Sequence, residues 1–422
     1  MVHVRIDRKS SCLVLLLLIT VLFGCVTKSA AICLGCAVIQ VIMVCWKAGL
    51  SFLSAFCFII NYCLLPQYIA YTGGNVYGLL GLGYIKIYFF ELCYCCYALN
   101  TVIFSFIVFT SFIRNERKVF KKNYSFSHTT VILLSIAAVL LTLLIFPDIP
   151  LGFDVENRFN SGIIPFSGWS CIPFFLLSLG LLSQKRKKIV YSATGFVCLW
   201  YMMHGERVDV IGMLFFIAMV FFHSKKRRKQ DIIGAALIGM FLVAILLAIG
   251  SWRDGERFSI RNIISSVVVQ STVCDVTNVF NASMDTFYKG NTFGGVTYLS
   301  YLINCIPRMP DNYSFQYLIG KTYRSAGGGI FFAEPIANFG FIFTAMEIFL
   351  FAYFIYFITK KQTKYRSLIY AELCLSIFRT AWYGLNYPIV TILYFIPAVL
   401  LLNKYTWMAG RGASCSVSND LS

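Results

Sequence analysis

The sequence predicts an all-α integral membrane protein with about twelve transmembrane helices. Its 422 residues are 59% hydrophobic and 17% aromatic, and only 13% are charged. A soluble domain carries about 25% charged residues, so this chain needs the bilayer as its solvent. The runs long enough to span are 11–27, 30–46, 49–70, 89–113, 129–147, 163–183, 189–203, 208–223, 232–251, 333–358, 367–384 and 387–403.

The basic residues predict the orientation of these spans. The formal net charge is +18, and the Lys and Arg residues cluster at 114–122, 185–188, 225–229 and 360–366. With the N-terminus inside and twelve crossings, every cluster falls on the cytoplasmic side, as the positive-inside rule requires. Both termini are therefore expected in the cytoplasm. The charge reports topology, and nucleic acid is not an expected partner.

The first apolar run is predicted to be a retained span, although it resembles a secretory signal. A basic start precedes it, and "LFGC", ending at Cys25, resembles a lipoprotein cleavage site. Phe23 fits that pattern poorly. Removal of the run would also reverse the orientation that the later basic clusters require.

The cysteines and histidines predict no metal site and no cofactor. Most of the 16 cysteines lie inside the apolar runs, where cysteine acts as a small hydrophobe. Only Cys274 and Cys305 lie in the long exterior segment, and a disulfide between them is left open. The four histidines are scattered along the chain and pair with no cysteine.

The chain is expected to have one large exterior loop of about 80 residues, which is too long for a simple connector. Within it, Val276, Phe280, Met284 and Phe287 recur at helical spacing. That helix could lie on the outer membrane surface, cap the bundle or pack as an ordinary helix. The predicted divisions are spans one to nine in 1–251, the loop in 252–332, spans ten to twelve in 333–403 and a disordered cytoplasmic tail in 404–422.

The turn "HGERVDV", residues 204–210, is a candidate anion site on the outer side. Arg207 lies in the first turn of span eight, whose free backbone N–H groups face the exterior in the predicted topology. A helix N-terminus with a guanidinium suits phosphate. Glu206 and Asp209 could instead satisfy the same N–H groups and pair with Arg207. His204 opens the turn and is a candidate substrate-binding residue.

The exterior loop carries seven Lys and Arg residues against five Asp and Glu residues. For any one of its arginines, a surface salt bridge is the simpler interpretation. Taken together, the basic residues suggest a mildly cationic cavity that would suit a negatively charged, lipid-attached substrate. Arg253, Arg257 and Arg324 are the candidate substrate-binding residues here.

Two further candidates lie near the outer ends of spans ten and eleven. Arg379 is embedded about one turn inside span eleven, where an arginine is costly unless it faces a polar cavity or a partner. Snorkelling to the interface is the alternative, and Tyr383 beside it could be a belt residue or stack on a sugar ring. Glu334, after three glycines in "GGGIFFAEPIANFG", could cap its helix, pair with Arg324 or Arg379, or act as a base.

This layout resembles the Wzy-type O-antigen polymerases. The resemblance rests on the many spans with a large exterior loop, on the arginine in "HGERVDV", and on the Gly-rich, acidic, "NFG"-containing "GGGIFFAEPIANFG". It implies a GT-C-like polytopic architecture with a periplasmic loop in the bacterial inner membrane. It also implies a glycosyltransferase that polymerises undecaprenyl-pyrophosphate-linked oligosaccharides.

The implied chemistry gives each candidate a role. The lipid pyrophosphate leaves with negative charge, which arginines would stabilise; Arg207 is the first candidate, followed by Arg379 and Arg324. The acceptor hydroxyl needs orientation and a base, for which Glu334 and Asp209 are available. A chain-length regulator and a flippase are the implied protein partners.

Two other functions stay open at this point. An O-antigen ligase shares the plan, but such ligases usually carry a histidine in the large exterior loop, and residues 252–332 contain none. A transporter or flippase of lipid-linked oligosaccharide would also use twelve spans and a cationic cavity. Against it stand the absence of a visible repeat and the long exterior loop.

Overall fold

The computed structural model describes residues 8–78, 83–84, 86–121, 126–148, 169–183, 186–224, 269–303, 306, 312–324, 328–361 and 363–404. These ranges are mostly helical and contain no strand, which confirms the all-α prediction. Six helices in them are long and apolar enough to cross a membrane, in keeping with a polytopic membrane protein. They are Ala30–Ala48, Phe52–Tyr71, Phe89–Phe109, His128–Ile145, Phe341–Lys360 and Asn386–Lys404. The count of twelve spans and their orientation stay predictions.

The helices fall into two compact units. The first unit holds Met1–Val119, Arg227–Gln362 and Ile377–Asn386. Its helices are α1 Arg8–Val26, α2 Ala30–Ala48, α3 Phe52–Tyr62, α4 Leu64–Tyr71, α5 Phe89–Phe109, α6 Phe112–Lys121 (which continues into the second unit), α11 Ser271–Tyr288, a 3₁₀ turn Val296–Leu299, α12 Ser300–Ile303, α13 Phe315–Thr322, α14 Ala333–Phe339, α15 Phe341–Lys360 and α17 Ile377–Tyr383.

The second unit holds Phe120–Lys226, Thr363–Ser376 and Tyr387–Ser422. Its helices are α7 His128–Ile145, α8 Ile172–Ser183, α9 Lys187–Met203, α10 Val208–Ser224, α16 Lys364–Leu375 and α18 Asn386–Val390, which begins at the unit boundary. A π-helical turn, Thr391–Phe395, follows α18, and α-helix resumes to residue 404. The division by loops and spans predicted from the sequence stays a prediction, and the run at 232–251 lies outside the described residues.

Three predicted spans are broken helices. The run at 49–70 divides into α3 and α4 at Cys63. The run at 333–358 divides into α14 and α15 at Gly340, whose φ of +81° favours glycine. A Cβ at Gly340 would also meet the Phe287 ring at 2.4 Å. The run at 367–384 divides into α16 and α17 at Ser376.

Buried amides join the helices of the first unit. Asn100 on α5 donates to Oε1 of Gln40 and to Oδ1 of Asn61, each at 3.1 Å. Its own Oδ1 accepts from Asn61 and from the Cys57 thiol, each at 2.8 Å. Such bonds between helices replace the hydrophobic driving force, which is weak in lipid. Asn100 therefore links α2, α3 and α5.

Helix α11 is the helix expected in the exterior loop, and the structure packs it inside the unit. It contacts α4, α13, α14 and α17, and almost all of its residues are buried. The Gln67 amide donates to Oδ1 of Asn281 on this helix at 2.6 Å. Of the three positions considered for it, the structure supports the packed one. Cys274 on α11 is a buried free thiol, and Cys305 lies outside the described residues.

Candidate functional site

The carboxylate of Glu334 is held by two hydroxyl groups. The Thr297 hydroxyl donates to Oε1 and the Tyr301 hydroxyl donates to Oε2, both at 2.6 Å. Glu334 lies in the first turn of α14 and is buried. The 3₁₀ turn and α12 supply the two donors, so the segment between α11 and α13 itself builds this site. The two hydrogen-bond donors to the Glu334 carboxylate are hydroxyl groups. They are neither the backbone N–H groups of a helix N-terminus nor an arginine, which were the partners considered from the sequence.

Asn338 fixes the position of Thr297. Its side-chain amide, one turn after Glu334, donates to the Thr297 hydroxyl at 2.7 Å and to the Glu334 carbonyl at 2.9 Å. Its Oδ1 accepts the Gly295 N–H at 2.8 Å. Asn338, the Asn in "ANFG", therefore positions the Thr297 hydroxyl that donates to the Glu334 carboxylate. That is a physical reason for an amide side chain at this place.

The glycine-rich segment before α14 is bound along the end of α17. The Gly329 N–H donates to the Trp382 carbonyl at 2.8 Å, and the Phe331 N–H donates to the Ala381 carbonyl at 2.9 Å. Gly328 has a φ of +80°, and a Cβ there would meet the Tyr383 ring at 2.6 Å. Gly327 lies outside the described residues. The described part is a strap held across the end of α17 by these backbone bonds.

Arg379 and Tyr383 belong to the same site through α17. Arg379 is only 3% exposed, and its guanidinium carbon lies 5.1 Å from the centroid of the Tyr383 ring. A cation over an aromatic face at this distance is attracted by the ring. At the next residue, Gly384, a Cβ would lie 3.5 Å from Oε2 of Glu334 and 3.7 Å from the Tyr301 hydroxyl. The end of α17 therefore reaches the Glu334 carboxylate.

Burial sets the protonation of this carboxyl group. It raises the pKa of Glu334, and the hydrogen bonds from Thr297 and Tyr301, which favour the ionised form, partly offset that rise. Burial also raises the pKa of Tyr301, as does the charge of Glu334, so this phenol stays a hydrogen-bond donor. A carboxyl group with a raised pKa close to hydroxyl donors suits general base chemistry.

A second polar group in this unit lies at the end of α11. Lys289 pairs with Asp285 at 2.5 Å, and the Tyr323 hydroxyl also donates to Asp285. The Tyr88 hydroxyl donates to the other oxygen at 3.3 Å. The hydrogen bond from Lys289 is the main reason that the pKa of Asp285 is lowered, followed by that from Tyr323. Arg324 follows Tyr323 and is exposed, and within the described ranges the structure does not join it to Glu334.

In the second unit, Arg207 lies in the turn between α9 and α10, as predicted. The Gly205 N–H donates to Met202 and the Glu206 N–H donates to Tyr201, each at 2.9 Å, which is the Schellman end of a helix. Arg207 is half-buried, and its carbonyl accepts the first backbone bond of α10, from Ile211. Arg207 is therefore the N-cap residue of α10, and its guanidinium is attached at the start of that helix.

The acidic residues of this turn are buried beside Arg207. Asp209, in the first turn of α10, is 3% exposed, and Glu206 is 7% exposed. The Cys171 thiol lies 3.7 Å from Oδ1 of Asp209. Glu206, Arg207 and Asp209 all have further polar or electrostatic contacts. Substitution of Arg207 therefore distinguishes an anion site from a self-capped turn.

His204 makes contacts within the second unit. Its Nδ1 lies 2.8 Å from the Trp200 carbonyl and its Nε2 lies 3.0 Å from the Asp148 carbonyl. The ring stacks on Phe146 with 4.5 Å between centroids. These contacts occupy both ring nitrogens and tie the end of α7 to the end of α9. Its predicted role in substrate binding stays a prediction.

The structure thus brings Glu334, Arg379 and Tyr383 together in the first unit, and Arg207, Asp209 and His204 in the second. Arg253 and Arg257 lie outside the described residues. Thr297 and Tyr301 could not be recognised from the sequence as partners of Glu334, since they lie 37 and 33 residues away from it. In the described ranges, no three His, Cys, Asp or Glu side chains are grouped to hold a metal ion.

Comparison with known families bears on both sets of residues. The chain matches the family described as "Putative O-antigen polymerase" over residues 8–396, which include every candidate named above. The chain belongs to the O-antigen polymerase family. The family match confirms the resemblance and identifies a multi-pass membrane protein of polysaccharide biosynthesis. No curated protein and no solved structure matches the chain.

Proposed function

We propose that the chain joins undecaprenyl-pyrophosphate-linked O-antigen repeat units at the periplasmic face of the bacterial inner membrane. The family match over 8–396 supports polymerisation of O-antigen units. The observation that carries the chemistry is the Glu334 carboxylate, buried between two hydroxyl donors and within reach of the end of α17. The positive-inside distribution of Lys and Arg supports the periplasmic orientation.

In the proposed reaction, an acceptor sugar hydroxyl attacks the anomeric carbon of the donor glycan. A C–O bond to the new sugar forms, the C–O bond to pyrophosphate breaks, and the lipid pyrophosphate leaves with the bonding electrons. The acceptor proton passes to a carboxylate, for which Glu334 is the first candidate and Asp209 the second. Because a positioned base gives a factor of roughly 10² to 10⁴, removal of the carboxylate should be visible in a product ladder.

Arginines serve the leaving group in this proposal. Arg207, at the N-cap of α10, would stabilise the departing pyrophosphate together with the helix N-terminus. Arg379, stacked on Tyr383, is the second candidate, and Tyr383 also offers a face for a sugar ring. Arg324, Arg253, Arg257 and His204 are proposed to bind the glycan or its pyrophosphate.

The partners follow from the same reaction. The substrate is a membrane-bound lipid-linked oligosaccharide, so a flippase must deliver it and a chain-length regulator can act on the product. A deletion strain should make lipopolysaccharide capped with a single repeat unit. Complete loss of O-antigen would support a ligase or flippase instead, and an unchanged ladder would exclude all three functions.

A further inference from the structure

Glu372 is a carboxyl group in the interior of the second unit that has no hydrogen-bond partner on either oxygen among the described residues. It lies in α16 with no exposed surface. The other buried carboxyl candidates differ, since Glu334 binds two hydroxyl groups and Asp209 has contacts of its own. A buried carboxylate without partners is strongly unfavourable. Glu372 therefore requires a proton or a ligand.

Thr391 is a second unpartnered polar group at the same place. Its hydroxyl adjoins the Glu372 carboxyl without completing a hydrogen bond, and it is fully buried. Thr391 also begins the π-helical turn that interrupts the last helix. Such turns are rare and are frequently found at functional sites. Two unpartnered groups facing each other at an irregular turn indicate a small polar site in an apolar interior.

Helix α10 brings one charged group towards this site. Helices α10 and α16 pack so closely that a Cβ on Gly212 would meet the Leu375 carbonyl at 1.9 Å. Asp209, three residues before Gly212, is the charged side chain among the described residues that acts electrostatically on Glu372. The close contact between Gly212 and Leu375 lies three residues from Asp209 along α10 and three residues from Glu372 along α16.

The remaining neighbours contribute no further charge. Helix α8 packs against α16, and its residues Ile172–Ser183 include no titratable side chain. In the π-helical turn the titratable residue is Tyr394, which is half exposed. On α16 itself the basic residues, Lys364 and Arg366, lie in the first turn, well over one turn from Glu372.

We propose that Glu372 is a proton-binding site, a carboxylic acid that stays neutral inside the unit. It has no exposed surface and no hydrogen bond to either carboxyl oxygen among the described residues, so a charge there is unfavourable. Asp209 lies in the first turn of α10, and an ionised Glu372 would act on it across the contact between α10 and α16. Glu372 is then a positioning residue for Asp209. That role rests on the proposed function, whereas the bound proton does not.

The bound proton can be tested with dicyclohexylcarbodiimide, an apolar reagent for protonated carboxyl groups. The acid proton moves to a carbodiimide nitrogen, the carboxylate oxygen adds to the central carbon, and the O-acylisourea rearranges to a stable N-acylurea. The full chain in lipid is treated at neutral pH, and peptides are analysed by mass spectrometry. We expect the Glu372 peptide to be labelled, with labelling falling as pH rises, and E372Q to lose it.

Glu91, which is part-exposed at the start of α5, is the internal control for a carboxyl group within reach of solvent and should stay unmodified. An unlabelled Glu372 would overturn the proposal. So would protection of Glu372 by sodium chloride at constant pH, because a metal cation would then occupy the site.

The positioning role is tested by the pH profile of polymerisation. Rising pH ionises Glu372 and adds a negative charge to the interior packed against α10, so wild-type activity should fall on the alkaline side. E372Q mimics the neutral acid and should lose that alkaline limb. E372K, with a fixed charge, should lower the rate about tenfold or more, equivalent to about 1.4 kcal/mol.

An E372Q variant that is inactive at every pH, at normal membrane abundance, would show that the ionised carboxylate is needed and would sink the proposal. If the wild-type chain fails to polymerise any lipid-linked repeat unit, the proposed function fails while the labelling result still stands. The two failures are therefore distinguishable.

Discussion

The Tyr301 hydroxyl donates to Oε2 of Glu334 at 2.6 Å, although 33 residues separate them in the chain. The loop that follows α11 thus returns to the first turn of α14 and closes on its carboxylate. Thr297 repeats this contact on the other oxygen. The carboxyl group is oriented by the segment between α11 and α13, so its chemistry should depend on residues of that segment.

Replacement of Glu334 by glutamine should leave lipopolysaccharide with a single repeat unit. The amide keeps the shape of the side chain but cannot take the acceptor proton, and the rate should fall about a hundredfold or more. Complementation of a deletion strain, followed by gel analysis of lipopolysaccharide, measures this. Glu347→Gln is the matched control, since Glu347 binds the neighbouring Tyr298 but lies on α15. A full ladder from E334Q would remove Glu334 from the reaction.

Loss of a hydroxyl donor should move the pH profile of polymerisation in a stated direction. The bonds from Thr297 and Tyr301 lower the pKa of Glu334 against the rise caused by burial. Thr297→Val or Tyr301→Phe removes one of them, so the pKa rises further and the base is ionised only at higher pH. The acid limb of the rate profile should therefore shift upward. A shift to lower pH, or none, would contradict this electrostatic account.

Substitution of Arg207 should separate charge from geometry. Arg207→Ala removes the cation at the start of α10 and should give the single-unit pattern at normal protein level. Arg207→Lys keeps the charge without the planar fork and should retain short ladders. Immunoblots of membranes provide the abundance control. A wild-type ladder from R207A would support the self-capped turn in place of the anion site.

Gly328→Ala should destabilise the strap across α17. The residue has a φ of +80° and its new Cβ would meet the Tyr383 ring, so a loss of about 1–3 kcal/mol in unfolding free energy is expected. Thermal unfolding of purified protein measures the change. Gly73 has a similar φ of +87° but no atom near a new Cβ, so Gly73→Ala measures the cost of the backbone conformation alone. Gly320→Ala in α13 introduces neither an unfavourable φ nor a close contact and is the second control. Equal unfolding temperatures for G328A and G73A would exclude a role for the Tyr383 contact.

Local hydropathy predicts individual long apolar helices, because the energy of a helix in lipid depends mostly on its own residues. The run at 30–46 became Ala30–Ala48, and that at 129–147 became His128–Ile145. The breaks at Gly340 and Ser376 could not be predicted in this way, since each depends on the neighbours that the chain meets there. The Phe287 ring beside Gly340 is one such neighbour.

The candidate site shows the same difference between what the local sequence predicts and what tertiary contacts determine. Glu334, Arg379 and Arg207 could be chosen from the sequence because charged groups at span ends are costly without a function. Their partners are set by tertiary contacts, and Thr297 and Tyr301 look like ordinary loop residues. Glu372 had a usable signal, an acidic residue within the apolar run of α16, but the prediction rested on the outer turns and left it aside.

The two backbone bonds from Gly329 and Phe331 to α17 have a consequence for timing. Lifting the strap would break both bonds together. Deuterium uptake at these two amides should then occur in step, as one cooperative opening. Uptake at different rates would show that the two bonds break independently.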